Sequence, residues 1–289
     1  MKPGSVFYKM TGSGNDFVMF DGRHLRVEDL PPETIVAICD RRMGIGADGV
    51  GLLEPTLAPG AHFAFRFWNR DGSVGPMCGN GALCATRLAV VLEYARADEE
   101  VRFTTDAGLH RGRVVTGGEG DASVSEIALP DCAMPCPVPA VRTVAGEEQA
   151  VLVQPSVPHL VLTVADVASI AVEDRGPGLR RDPALGAGGA NVNWISPRPD
   201  GTWLMRTFER GVEGETLACG TGAVASALTI GSRSPTTGPV RLWTRSGLPL
   251  DVAFAAENST ATHIVLRGEG RLVFRGIVAS SLTEARPTP

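Results

Sequence analysis

The chain has 289 residues, 43% of them hydrophobic and 20% charged, with a formal net charge of −5. That is apolar material for one large domain or two ordinary ones, and the mixed, mildly acidic charge excludes a nucleic-acid-binding surface or a polybasic membrane patch. Six cysteines are too few for a disulfide scaffold, no apolar run could span a bilayer, and the opening MKPGSVFYKMTGSG has no apolar signal core, so the reading is of a cytoplasmic protein.

In chain order the elements are mostly short strands separated by turn residues, as 35 glycines and 21 prolines would suggest. SVFYKM and DFVMFD come first. LPPETIVAICDRR then reads as a helix, with proline in its first turn and arginines at its end. The following GIGADG satisfies the pattern G-x-G-x-x-G. It follows a helix and leads into the apolar VGLL, the wrong context for a dinucleotide site, so it reads as a tight turn. HFAFRFWN, with clear alternation, is a strand; GALCATRLAVVLEYA is a second helix; EVRFTT and GRVV are strands. The proline-rich LPDCAMPCPVPAVR reads as a connector. Beyond it VLVQ, HLVLTV, NVNWIS, TWLMRTFE, VRLWT and HIVLRG are strands, interrupted by a third helix, GAVASALTIG. Cys132 and Cys136 have no second close pair or nearby histidine, so no metal site is expected; with Cys39 and Cys84 they read as structural.

The second and third helices share an unusual opening. Cys78 precedes Gly79-Asn80-Gly81, and 141 residues later Cys219 precedes Gly220-Thr221-Gly222. Both helices are small and apolar on most faces, which marks them as buried. The simplest plan is a strand-dominated α+β fold in two β-rich halves, each wrapped around one central helix. The halves are 1–121 with 272–289, carrying Cys78, and 122–271, carrying Cys219. A helix N-terminus offers unpaired N–H groups and the positive end of a dipole. Glycines let a ligand approach closely, so such a site holds a carboxylate or a phosphate, and the same field favours a thiolate. Two of them suit proton transfer at a carbon beside a carboxylate, with one thiolate as base, the other thiol as acid, and inversion as the result.

The motifs KMTGSGNDFV, DRRMGIGADGV, WNRDGSVGPMCGNGALC and FERGVEGETLACGTGAVA, in this order, resemble those of the diaminopimelate epimerase family. The resemblance implies a fold of two pseudo-symmetric halves, each a β-barrel-like sheet around a central helix, and a cofactor-independent, metal-free isomerase of lysine biosynthesis. That enzyme interconverts LL- and meso-diaminopimelate. It implies Cys78 and Cys219 as the acid/base pair, Cys78 acting on the LL and Cys219 on the meso form. Gly79, Asn80, Gly220 and Thr221 would receive the reacting α-carboxylate; Asn15, Asn69, Asn191, Glu209 and Arg210 would hold the distal amino-acid end. The partner is a small amino acid, with neither nucleic acid nor membrane, and members of the family commonly form homodimers. His159, in VPHLVL, reads as structural.

Two positions depart from the family pattern. Val157 stands where the family usually has an asparagine of the distal-end contacts, and Leu83 where it usually has arginine. Both bear on substrate rather than on reaction type. The alternatives are a related racemase of another amino acid, a non-catalytic amino-acid-binding homologue, and a thiol–disulfide redox protein.

Overall fold

The alternation in HFAFRFW produces a strand with Phe63, Phe65 and Phe67 buried and Arg66 exposed between them. This strand sits near the middle of the first of two units into which the computed structural model divides. The structure describes residues 3–75, 77–115, 124–234 and 238–279. One unit lies within Met1–Ile127 and Gly268–Pro289, the other within Ala128–Arg267. The expected break at 121/122 lies outside the described residues.

In the first unit, β1 (Val6–Gly12) and β2 (Asn15–Asp21) form an antiparallel hairpin. Helix α1 (Pro32–Cys39) crosses over to β3 (Gly49–Glu54), which pairs with β2 in parallel. Next come β4 (Phe63–Asn69), antiparallel to β3, and the short β5 (Val74–Gly75), antiparallel to β4. Helix α2 (Gly79–Val91) follows. Beyond it β6 (Val101–Thr105) pairs with β4 in parallel, and β7 (Gly108–Val115) is antiparallel to β6. Strand β8 (Val124–Ala128) ends the unit's first segment. Alternate residues of the sheet divide between two faces. Val18, Phe20, Val50, Leu52 and Trp68 pack with Ile35 and Ile38 of α1. Helix α2 packs on β1, β3 and β7. Ala82, Leu83, Ala85, Leu88 and Ala89 of α2 are all buried, and each leucine contributes roughly 1.5–3 kcal/mol by leaving water. Leu83 is therefore core packing in this chain. The turn at 44–49 follows α1 and bends through Gly46, whose φ of 80° favours glycine; it is the tight turn expected there.

From its hairpin at 147–164 onward the second unit repeats this topology. After β9 (Cys132–Ala133) and β10 (Cys136–Pro137), β11 (Glu147–Val153) is antiparallel to β12 (His159–Val164). Helix α3 (Val172–Arg180) crosses over to β13 (Asn191–Pro197), parallel to β12. Strand β14 (Trp203–Glu209) is antiparallel to β13, and β15 (Gly214–Thr216) antiparallel to β14. Helix α4 (Gly220–Arg233) follows, then β16 (Val240–Trp243), parallel to β14, and β17 (Pro249–Glu257), antiparallel to β16. Strand β18 (Thr260–Glu269) is antiparallel to β17, and β19 (Arg271–Ile277) returns to the first unit to pair with β1.

Two expectations are corrected here. Helix α3 was not anticipated, because Gly176-Pro177-Gly178 reads as a breaker. It forms because Val172 and Leu179 pack into a core with Trp194 and Phe208, and because Gly176 lies where any Cβ would overlap the Phe208 ring. The proline-rich connector is also more than a linker: β9 pairs with β18 and β10 with β11, so it belongs to the second unit's sheet. Among the described residues no helix is long and apolar enough to cross a membrane.

Candidate active site

Each central helix begins on its cysteine. Cys78 is the N-cap of α2, with extended backbone (φ −130°, ψ 117°), and its Sγ accepts the N–H of Gly81 at 3.4 Å. Cys219 caps α4 in the same way (φ −137°, ψ 112°), accepting the N–H of Gly222 at 3.4 Å. A sulfur thus occupies the place of the usual serine or aspartate oxygen and points at the positive end of the dipole. That contact favours the thiolate over the thiol. Cys78 is half-buried and Cys219 is buried at 8% exposure.

In the first unit the capping region is tied to the sheet by amides. Asn80 Nδ2 donates to Asn15 Oδ1 at 2.6 Å, and Asn15 Nδ2 donates to Asp48 Oδ2 at 3.1 Å. Asp48 in turn accepts from Arg41 at 2.8 Å. The ion pair therefore sets which way the Asn15 amide faces. Gly12 makes this closeness possible: a Cβ there would meet the Asn80 carbonyl oxygen at 2.7 Å. Asn69, exposed at the end of β4, donates through Nδ2 to Ser73 Oγ at 3.0 Å. Cys78, Gly79, Asn80 and Asn15 come together in this unit; Asn69 is held by its own turn.

In the second unit Asn191 and Glu209 end β13 and β14, one step beyond the Val192–Phe208 pair. Asn191 Oδ1 accepts the Arg210 backbone N–H at 2.7 Å. Glu209 Oε1 accepts from Thr216 Oγ1 at 2.6 Å, and the Arg210 guanidinium reaches the Gly188 carbonyl at 3.4 Å. At the helix start, Thr221 Oγ1 is 3.6 Å from Cys219 Sγ and 2.9 Å from His159 Nε2. His159 is fully buried; burial first, and then the charge of Arg210, push its pKa down to about 3, so the ring is neutral.

His159 and its partner Asn193, 3.0 Å from Nδ1, escaped the sequence reading of the site. One signal was present: in NVNWIS, Asn191 and Asn193 are two apart and so share a face of the strand.

A family model described as diaminopimelate epimerase matches residues 7–120 and 151–273, which is most of the chain. A diaminopimelate epimerase from Gemmatimonas aurantiaca is 43% identical over 281 residues, covering 94% of this chain and 99% of the relative. This chain belongs to the diaminopimelate epimerase family. A second relative, the diaminopimelate epimerase of Aquifex aeolicus, is 36% identical over 287 residues, covering 96% and 99%. Solved structures of the same fold include a hydroxyproline epimerase from Agrobacterium vitis, at a TM-score of 0.69 and 15% identity, covering 96% of this chain and 93% of that one. A PhzF-family phenazine biosynthesis protein from Enterococcus faecalis has a TM-score of 0.69 and 17% identity, covering 95% and 99%. At such identities the likeness is one of fold. The membership expected from the motifs is thereby established, and with it the strand-dominated α+β fold and an isomerase.

Proposed function

We propose that this diaminopimelate-epimerase-family enzyme interconverts LL- and meso-diaminopimelate by moving the α-proton between two thiols, Cys78 and Cys219. The observation that carries this reading is the shared construction of the two centres: each sulfur caps a long buried helix and accepts the third N–H of its first turn. One thiolate removes the α-proton, and the other thiol returns a proton on the opposite face. The α-carboxylate gathers negative charge as the proton leaves, and the N–H groups around Gly79, Asn80, Gly220 and Thr221 would hold it. The chemistry needs an acid, a base and exclusion of water, and it asks nothing further of a cofactor.

Asn15, Asn69, Asn191, Glu209 and Arg210 would grip the distal amino-acid end. Arg210 suits a carboxylate and Glu209 an ammonium, while the asparagines supply oriented donors and acceptors. Val157 corresponds in the repeat to Asn15, two residues before the β2–β3 and β12–β13 register pairs Phe17–Gly49 and His159–Asn191. Its loss of an amide weakens the hold on the distal end by about 1–3 kcal/mol. This weakening falls on binding and leaves the thiols untouched. The same reading places the enzyme in the cytoplasm, in lysine biosynthesis, as a homodimer.

The test is substrate choice under reducing conditions, with LL- and meso-diaminopimelate offered beside histidine, glutamate and lysine. The expected result is inversion of diaminopimelate alone, with a KM raised by the missing amide. Inversion of another amino acid in preference would move the chain to a different racemase specificity, and inversion of none would support the binding-protein reading.

A further inference from the structure

Helix α3 ends on Arg180 and is capped by Arg181, and the two arginines are placed very differently. Arg181 has 65% of its side chain exposed, whereas Arg180 keeps only 15%. Both reach one carboxylate: Glu213 accepts from Arg180 Nε at 2.8 Å and from Arg181 Nη2 at 2.8 Å. Among the described residues, Arg180 alone of the two goes further. Its Nη1 donates to the Gly188 carbonyl oxygen at 3.4 Å, and its own carbonyl accepts the Ala190 N–H at 3.1 Å. An exposed ion pair contributes little by itself. A planar guanidinium that is largely withdrawn from water and bridges two segments does more, because its rigid fork sets how those segments lie against each other.

The two bridged segments carry the residues assigned above to the distal end. The turn at 186–190 leads into Asn191 at the start of β13, and the turn at 210–213 follows Glu209 at the end of β14. Each turn is shaped around its arginine contact. Gly189 has a φ of 57°, and a Cβ there would overlap the Arg180 carbonyl and lie 2.7 Å from Arg180 Nη1. Glu213 has a φ of 56°, a left-handed conformation uncommon for a residue with a side chain. Its N–H donates to the Glu209 carbonyl at 2.8 Å, and its carboxylate also accepts the Gly211 N–H at 3.2 Å. Backbone outliers held from several sides gather at functional sites. Arg210 joins the two turns. Its backbone N–H donates to Asn191 Oδ1 at 2.7 Å, and its Nη1 donates at 3.4 Å to the same Gly188 oxygen that Arg180 holds. Among the described residues the Arg210 guanidinium has no other hydrogen-bond partner, so the place of that carbonyl decides where its remaining N–H groups point. The charge of Glu213 offsets the repulsion between two guanidinium groups that share one oxygen.

We infer that Arg180 is a positioning residue for the distal-end site: by bridging Glu213 and the Gly188 carbonyl it locks the turn before Asn191 to the turn after Glu209, and so fixes the direction in which the Arg210 guanidinium is offered. The inference rests on the reading of Asn191, Glu209 and Arg210 as the grip on the distal amino-acid end, and deepens it. Arg180 acts through these residues rather than on the substrate. The grip is set before a ligand arrives, so binding does not have to order two turns. The distal end takes no part in proton transfer. A loosened grip therefore weakens the binding of substrate and transition state alike, and shows in KM rather than in kcat.

The test compares wild type with Arg180→Met, Arg181→Met and Glu213→Gln. Arg180→Met keeps the apolar stem and removes the fork. Arg181→Met removes the neighbour that shares Glu213 and leaves the bridge. Glu213→Gln loosens the bridge from its other end while Arg180 stays. With diaminopimelate, Arg180→Met is expected to raise KM about tenfold with kcat little changed. Glu213→Gln should shift KM the same way by less, and Arg181→Met should stay near wild type. Without substrate, hydrogen exchange of the Arg210 backbone amide, followed by NMR, should be about tenfold faster in Arg180→Met, with the amides of α4 unchanged. A loss of kcat at unchanged KM in Arg180→Met, an equal rise of KM in Arg181→Met, or unaltered exchange at Arg210 would each overturn the inference. Faster exchange throughout α4 would mark a general loss of stability and would equally count against it. The exchange readout needs no turnover. An enzyme inactive on diaminopimelate would refute the proposed substrate, and the Arg210 amide would still decide the role of Arg180.

Discussion

Cys78→Ala and Cys219→Ala are each expected to lower the rate of epimerisation by at least ~10²–10⁴-fold, the contribution typical of a positioned acid or base. Both should leave the fold intact. The sulfur of each residue caps a helix that is otherwise held by buried apolar packing, so its removal costs about 0.5–2 kcal/mol, a small part of the stability of the unit. The two variants should also fail differently. With one thiol gone the other can still take a proton from its own face and return it there. Residual exchange of the α-proton with solvent is therefore confined to one stereoisomer in each variant, and to opposite stereoisomers in the two. Steady-state rates and NMR-detected exchange on the purified variants check both statements. Wild-type turnover in either variant would refute the assignment of the pair.

The second large effect is expected at a glycine. Gly81 and Gly222 hold the same place in the two cysteine motifs, the third residue of the helix, yet their surroundings are not alike. A Cβ on Gly81 would meet Cys78 Cβ at 3.4 Å, its Sγ at 3.5 Å and the Phe67 ring at 3.6 Å, all ordinary contacts. A Cβ on Gly222 would overlap Asn193 Oδ1 and lie 3.2 Å from Cys219 Cβ and Sγ. Asn193 cannot retreat without releasing both Thr207 and His159. Gly222→Ala should therefore lose roughly 1–3 kcal/mol through overpacking, with activity falling more than about tenfold as Asn193 and the Cys219 sulfur are displaced. Gly81→Ala should be neutral or slightly stabilising, since its contacts are ordinary ones and helix propensity gains up to about 0.8–1 kcal/mol. Thermal unfolding separates them: the melting temperature of Gly222→Ala should drop by roughly 2–4 °C per kcal/mol lost. Equal melting temperatures for the two variants would contradict the contrast drawn between their surroundings.

Much of this was legible in the sequence, for physical reasons that can be named. The strands announced themselves through alternation, as in HFAFRFW, and α2 and α4 through runs of small apolar residues beginning on a cysteine. The repeat was legible only at those two motifs. Elsewhere the equivalent positions hold chemically unrelated residues, Phe17 against His159 and Phe67 against Thr207, so the shared topology leaves no trace in the letters. Helix α3 was hidden because Gly176 is demanded by the Phe208 ring, a contact between residues on different elements. The hydrogen bonds around His159 were hidden for a similar reason. His159 in VPHLVL looks like a core histidine, and it is one. Its partners arrive from β13, β14 and α4, and only parallel and antiparallel registers bring Asn193, Thr207 and Thr221 beneath one sulfur.

The central claim is that two thiols handle the proton, one on each face of the reacting carbon. Its most direct test is a short reaction in deuterium oxide from LL-diaminopimelate, and a second from the meso form, with substrate and product analysed separately by NMR before equilibrium is approached. Two thiols predict that the product carries deuterium at the inverted carbon while the recovered substrate still carries protium, in both directions. Protium carried over into the product, or deuterium appearing equally in substrate and product from the start, would mean that one group serves both faces and would contradict the account.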